Sequence, residues 1–538
     1  MVSRTVCIAG SGPAAVAAAS ALVEQELDVT MIDVGVELEP RNAALVERLY
    51  QGVPGSWAPE DLAALKAGHQ TGPDGLPEKR TYGSDYPLRD VGQAGDIDRE
   101  GVDILLSGAR GGLSNIWGSN FMPYTRHDIS DWCVSSDDLA PHYKAVSALV
   151  PTSAGHDDIE AWFPLHGAGP NRLRASAQAR RLMAAIERHR VRLRQSGIVG
   201  GYSRLAVQVS PTGANPRGCV YCGLCLYGCP YRLIYSSQTT LADLRRRPNF
   251  HYVPGVIVDR VIEDGDQVRI VGRSVADAAP RVWSADRVLL ACGAIGTSRI
   301  LLESMGLVGE TVVLKDSLYF VLPLLQFQGA PAVTKEPLHT LSQVFLEVHD
   351  PALSQRTIQL QVYTYNDLFE AAIRSALGGL FPMARPLLPP LLGRLSLIMG
   401  YLHSDDSPGL ALTLRGQGEG ATLVVRPLRS ERSAPIVHAV VRKLVRHWRQ
   451  LGALALRPWL RVTNPGKGYH YGGTFPMRHE PGRFETDRLG RPSGFQRVHA
   501  VDATVLPSIA ATTIVFTAMA NAHRIATAVA RLDRPTAR

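Results

Sequence analysis

No apolar run in the sequence approaches the roughly 18 residues needed to cross a bilayer as a helix, which argues against a membrane-spanning chain. A secretory leader is missing as well. Met1 leads almost at once into an apolar strand pattern, Thr5–Ala9, with no basic segment and cleavage site before it, so a cytoplasmic protein is expected. Charge of one sign is scarce. Against 57 Lys and Arg stand 49 Asp and Glu, and a net charge of +8 over 538 residues gives no reason to expect nucleic-acid binding. So small a surplus suits an anionic membrane surface or an acidic partner. Seven cysteines are too few for a disulfide scaffold of this length, and four of them fall within eleven residues. There is no internal repeat and no low-complexity tract. Apolar residues at 45% and charged residues at 20% are ordinary for a globular chain, long enough to build two or more packed layers.

The first informative pattern is local. Thr5–Ala9 and Val29–Asp33 read as buried strands, and Pro13–Glu26 between them is an Ala/Leu-rich helix. Gly10-Ser11-Gly12-Pro13-Ala14-Ala15 lies where the first strand turns into the helix. Gly10 allows the tight turn, Gly12 lets the backbone approach a pyrophosphate, and Ala15 permits close helix–strand packing. The helix N-terminus adds N–H donors for phosphate oxygens. Asp33 ends the second strand 23 residues after Gly10, placed to accept the ribose hydroxyls of an adenosine. Strand, helix, strand and terminal acid together predict a dinucleotide-binding βαβ unit.

Three blocks follow from the patterning: 1–310, 311–462 and 463–538. Residues 37–101 are Gly/Pro-punctuated with little periodicity and read as an extended lobe over a ligand. In the middle block Thr357–Tyr365, Leu410–Leu414 and Thr422–Arg426 alternate apolar and polar residues, predicting an antiparallel sheet with one covered face. Pro435–Leu451 carries Val437, Val440, Val441, Leu444, Val445 and Trp448 on one helical face. Leu368–Leu402 is the most apolar stretch. Arg374, Arg385 and Arg394 divide it, and Pro382, Pro386, Pro389 and Pro390 forbid one long helix. Such a segment either rests peripherally on a membrane surface, giving access to lipid-like molecules, or forms a buried lid or a dimer contact.

Cys219, Cys222, Cys225 and Cys229, followed by Pro230, have the C-x2-C-x2-C-x3-C-P spacing of bacterial ferredoxin ligands. The spacing admits an iron–sulfur cluster, a tetrahedral zinc site or free thiols.

Four further segments, Gly108–Trp132, Arg287–Gly306, His470–Met477 and Val501–Ala526, resemble the glucose–methanol–choline (GMC) oxidoreductases in content and in order. The resemblance implies an α/β fold: a Rossmann-type FAD-binding domain with a parallel sheet, and an α+β substrate domain with an antiparallel sheet. On that resemblance 1–310 belongs to the FAD domain, 311–462 to the substrate domain, and 463–538 returns to the FAD domain with the catalytic motif. Gly10, Ser11, Gly12 and Asp33 would hold the ADP half of FAD. Gly111, Gly112, Ser114 and Asn115 would pass along the flavin, Val258 would meet the adenine, and Asp502 would approach the flavin end. The position at which some relatives attach flavin through a His is Ile116 here, so non-covalent FAD is expected.

The motif H-x-x-G-T-x-x-M is present at His470, Gly473, Thr474 and Met477. A neutral imidazole is suited to taking the hydroxyl proton while hydride leaves the carbon. Relatives carry a second His or Asn in an N-P pair about forty residues later. Thr513 and Ile514 stand there, and threonine hydrogen-bonds without serving as a base near neutral pH. Some dehydrogenases of the family carry a three-iron cluster on thiolates spaced like Cys219, Cys225 and Cys229, while long-chain alcohol oxidases of the family carry a similar Cys turn without a general need for a cluster.

The function expected is an FAD-dependent dehydrogenase oxidising a CH–OH group, with His470 as base and a [3Fe-4S] or [4Fe-4S] cluster passing electrons to a quinone or redox protein. Three readings compete with it. These are an oxygen-reducing alcohol oxidase without a cluster, a non-redox FAD lyase, and an electron-transfer or scaffold subunit with a lapsed site.

Overall fold

The structure is a computed structural model and describes residues 5–68, 80–92, 96–167, 169–211 and 217–532. Among them a five-stranded, wholly parallel sheet runs in the order Val498–Ala500, Arg287–Leu290, Thr5–Ala9, Asp28–Ile32, Phe250–Val253. The helix Pro13–Val23 packs against its strands, and two strands of an antiparallel meander, Gln267–Ser274 and Pro280–Ala285, contact Arg287–Leu290 and Thr5–Ala9. The helix Pro13–Val23 leaves the first strand and packs along the C-terminal helix, Val515–Leu532, with ten consecutive buried residues from Ala14 to Val23. The predicted βαβ unit is present, its second strand ending one residue before Asp33.

The alternating strands of the middle block divide between two sheets rather than joining one. Thr311–Asp316, Leu410–Arg415 and Thr422–Pro427 pair with one another and share the core of the parallel-sheet half through Leu410, Leu412, Leu414, Leu423 and Val425. Ile358–Tyr363 belongs to a separate sheet, flanked by Val344–Val348 and Leu395–Tyr401, with Tyr319–Gln326 beyond. Ile198–Tyr202, from the first block, adds the edge strand beside Val344–Val348. Two helices, Ala177–Arg188 and Ser433–Arg446, cover one face of this sheet. The second ends at His447, so Trp448 leaves the apolar stripe and is 37% exposed, against the sequence expectation.

The opposite face of this sheet is also buried. Every residue of Ile358–Tyr363 is buried, including Gln359 and Gln361. The alternation expected to mark a solvated face marks instead the polar wall of an internal cavity. The Gly/Pro-rich stretch 37–101 differs too. It holds helices Pro40–Gln51 and Pro59–Leu65, while 69–79 and 93–95 lie outside the described residues. Leu368–Leu402 forms short helices Asp367–Leu377, Phe381–Ala384 and Leu388–Leu392, broken as its prolines require, before entering the strand Leu395–Tyr401. No helix among the described residues is long and apolar enough to cross a membrane.

Candidate active site

A cavity of about 1530 Å³ runs from the turn at Gly10 to the antiparallel sheet. At one end stands the fingerprint. Gly10 has φ +99°, and a Cβ there would lie 2.4 Å from the carbonyl oxygen of Ala291. A Cβ on Gly12, by contrast, would meet nothing within 4 Å, because its side of the chain faces the cavity. Gly112, at φ +57°, approaches Gly12 so closely that its Cβ would sit 3.5 Å from the Gly12 Cα. Two glycine turns a hundred residues apart thus form facing walls of one slot.

Side chains brace that slot. Ser11 Oγ donates to Asp33 Oδ2 (2.6 Å) and accepts from Gly111 N–H (2.9 Å). Tyr252 OH also donates to Asp33 Oδ2, at 2.8 Å. Burial pushes the Asp33 carboxyl up to about 6, and the hydrogen bonds from Ser11 and Tyr252 pull it back only in part. Arg110, paired with Glu37, lies over the Tyr252 ring and lends positive potential to this end. Ser114 Oγ donates to Gly111 O (2.6 Å), and Asn115 Nδ2 donates to Arg110 O and Gly112 O. Asn115 Oδ1 accepts from Ser236 and Gln238, so its amide holds the turn together. Val258 lines the cavity beside a bulge between Val258 and Arg260, which re-aims the strand. Asp502 is buried and accepts from Thr297 Oγ1 (2.6 Å) and Thr504 N–H (2.9 Å). Burial raises its carboxyl as well.

At the other end His470 faces the same cavity. Its ring stacks on Tyr401 with centroids 4.9 Å apart, and Tyr401 stacks on Tyr319 at 5.2 Å. The backbone is held on both sides. Ser317 N–H donates to the His470 carbonyl (3.0 Å), Tyr469 has φ +57°, and Tyr471 OH bonds the backbone of Leu105. Thr513 also lines the cavity, only 4% exposed, and its Oγ1 has no hydrogen-bond partner among the described residues. A buried hydroxyl without a partner is costly unless something absent from the folded chain alone completes it.

The polar wall is a continuous chain that the sequence reading missed. Ser342 Oγ donates to Asn120 Oδ1, Asn120 Nδ2 to Gln361 Oε1 (2.6 Å), and Gln361 Nε2 to Gln359 Oε1 (2.9 Å). Gln359 Nε2 then donates to Glu347 Oε1 (3.1 Å) and Thr512 Oγ1 (2.9 Å). Asn120 and Gln361 reach the cavity, whereas Glu347 lies fully buried behind them with its carboxyl pushed up to about 8 by desolvation. The signal for this wall was present in the glutamines at alternate positions of Thr357–Tyr365.

By its spacing the cysteine run stands open between a cluster, zinc and free thiols. Cys225 and Cys229 reach the cavity wall, but no three of the four thiols, nor any other set of His, Cys, Asp and Glu, converge as metal ligands among the described residues. Cys219, Cys225 and Cys229 pack as small apolar groups among Leu205, Leu233 and Tyr231, and Cys222 packs beside Leu224 and Tyr227. Burial pushes the Cys219 thiol up to about 12 and that of Cys229 up to about 11. Spacing alone predicted a shared focus; the left-handed residues Tyr221, Gly223 and Gly228 turn the chain between successive thiols.

With this geometry established, residues 91–312 match the family model for GMC oxidoreductases. Over these residues the chain is similar to this family. GMC oxidoreductases bind FAD, and the open face at Gly12, the buried acid at Asp33 and the partnerless Thr513 hydroxyl fit such a group. Among solved structures, pyridoxine 4-oxidase from Mesorbium loti is similar, with TM-score 0.60, 14% identity, and 97% of this chain and 98% of that one covered. A formate oxidase gives TM-score 0.57 at 13% identity, with 97% and 98% covered. An FAD-dependent oxidoreductase from Chaetomium thermophilum gives TM-score 0.57 at 14% identity, with 98% and 99% covered. These likenesses show a shared fold over nearly all of the chain. No curated protein matches the chain by sequence.

Proposed function

We propose that this GMC oxidoreductase oxidises the CH–OH group of an apolar alcohol, with His470 as the base that takes the hydroxyl proton. The observation that carries the reading is that His470 and the partnerless Thr513 hydroxyl share one cavity with the paired glycine turns. Bound FAD supplies the hydride acceptor. Gly10, Ser11, Gly12 and Asp33 would hold its ADP half, with Val258 beside the adenine. Gly111, Gly112, Ser114, Asn115 and Asp502 would border the remainder, and Ile116 offers no side chain for a covalent link.

The stack of Tyr319 and Tyr401 fixes the plane of the His470 ring, so the nitrogen that takes the proton keeps one direction through the transfer. Thr513 Oγ1 hydrogen-bonds the substrate oxygen, and Gln361 and Asn120 offer polar contacts on the facing wall. The remaining wall is apolar, built by Val321, Leu397, Met399, Phe369 and Ile373, and excludes water around a hydrocarbon tail. A small acceptor, oxygen or a quinone, enters by the same cavity. No step is routed through a cluster.

The test is anaerobic addition of primary and secondary alcohols of increasing chain length to the holoprotein, followed by oxygen or a soluble quinone. Bleaching of the flavin band by apolar alcohols, and its return with either acceptor, is the expected result. A flavin band unmoved by every alcohol would overturn alcohol oxidation and favour the lyase reading. Denaturation should release FAD into the supernatant.

A further inference from the structure

The broken helical segment from Asp367 to Leu392 closes the outer side of the cavity, and its two faces differ. Phe381, Leu388 and Leu392 point inward, packing with Ala330 and Val333. Phe369, Ile373 and Leu377 line the cavity. The outward face carries Leu380, Met383 and Leu387, which are 63%, 80% and 70% exposed. Leu391, 39% exposed, borders the cavity mouth.

The base of the segment is pinned. Asn366 caps it through Leu368 N–H, and Asp367 accepts from Lys66 (2.6 Å) and from Tyr227 (2.8 Å). The apolar crown is therefore held out in solvent by a tethered base, not left there by a loose loop.

Arginine dominates the charge around the crown, with Glu370 paired to Arg374 at its base (3.3 Å). Residues 371–403 contain Arg374, Arg385 and Arg394 and no Asp or Glu; residues 447–462 contain Arg449, Arg457 and Arg461 and again none. The two stretches meet. Arg394 donates to the carbonyl of Phe327, the Phe327 ring packs edge-on against Trp448, and Arg449 lies over Trp448. Trp459, 62% exposed, and Arg461 border the same cavity as Leu391.

We propose that this face docks on an anionic lipid surface, with Leu380, Met383 and Leu387 entering the acyl boundary and the arginines meeting headgroup phosphates. Leu, Met and Trp on one side with arginines around them is the composition of an interfacial helix. A second copy of the chain is a poorer occupant. A two-fold contact would bring two arginine-rich faces together, with Glu370 already paired to Arg374. Docking there brings the cavity wall formed by Leu377 and Leu391 to the bilayer, so an alcohol dissolved in lipid could enter without crossing water. That last step rests on the proposed alcohol oxidation, whereas the docking rests on the surface alone.

The experiment uses the full-length holoprotein, phosphatidylcholine vesicles with or without phosphatidylglycerol, and the triple variant Leu380→Ser, Met383→Ser, Leu387→Ser. All three positions are exposed, so FAD content and circular dichroism serve as controls for folding. Flotation of the wild type with the anionic vesicles, weaker with phosphatidylcholine alone, is expected. The triple variant should bind at least about tenfold more weakly. Arg385→Gln with Arg457→Gln should weaken only the anionic component.

A wild type that fails to float, or a triple variant that floats equally, overturns the proposal. So does a wild-type dimer in solution that the triple variant converts to monomer while neither protein floats. If docking is lost but turnover of a vesicle-borne long-chain alcohol is unchanged, the lipid route for the substrate is overturned. If neither protein turns over any alcohol while flotation differs as expected, the docking stands and the proposed reaction fails.

Discussion

Glu347 offers a test of the polar wall that needs no substrate. Its carboxyl is fully buried, accepts one hydrogen bond from Gln359, and is pushed from 4.5 up to about 8. In the unfolded chain it ionises above the ordinary glutamate range, while in the folded protein it stays protonated to about pH 8. The unfolded state therefore gains free energy with rising pH that the folded state does not share. One pKa unit corresponds to about 1.4 kcal/mol, so this carboxyl disfavours folding by about 1 kcal/mol at pH 5 and about 3 kcal/mol at pH 7. Glu347→Gln keeps the acceptor for Gln359 and removes the titration. The variant should gain about 2 kcal/mol on the wild type between pH 5 and pH 7. Asp33, Asp316 and the other buried carboxyls remain in both proteins and cancel in the difference. The assay is urea unfolding followed by circular dichroism at several pH values, with FAD saturating throughout. Parallel stability curves for the two proteins would show that Glu347 is ionised in the folded state and would refute the reasoning.

Three other substitutions probe the site. His470→Ala should lower kcat by about 10²–10⁴ with FAD content unchanged, since the lost group is a proton acceptor and not a cofactor contact; equal turnover would dismiss it as the base. Thr513→Val keeps volume and burial while removing Oγ1, and should reduce kcat/KM by about tenfold or more, as for one lost hydrogen bond to substrate. Unchanged kinetics would mean that Oγ1 never meets the substrate. Gly10→Ala forces a Cβ to within 2.4 Å of Ala291 O at a positive φ. The backbone cost alone is about 1–2 kcal/mol, so released FAD measured per chain should fall sharply.

What was legible beforehand follows a physical line. Constraints that act over a few residues could be read directly: the turn at Gly10, the acid at Asp33, the breaks imposed by Pro382 and Pro386. Constraints set by distant packing could not. Cys219 to Cys229 have ligand-like spacing, yet spacing does not specify convergence, and the backbone turns between the thiols. Gln359 and Gln361 alternate with Ile358 and Leu360 as a half-exposed strand would, because alternation reports polarity and does not distinguish solvent from a polar cavity. Trp448 followed the helical period of its neighbours, but the helix ends at His447 and the period ends with it. His470 and Thr513 could be named from motif position, whereas the stack beneath His470 depends on strands more than sixty residues away.

The order of strands in the parallel sheet bears on how the protein is made. The strand Thr5–Ala9 leaves the ribosome well before its neighbours. Arg287–Leu290 follows some 280 residues later, and the edge strand Val498–Ala500 with the covering helix Val515–Leu532 follows later still. Until that helix is released, the apolar flank of Pro13–Val23 lacks its partner. Cofactor loading is therefore expected to await release of the Val515–Leu532 helix.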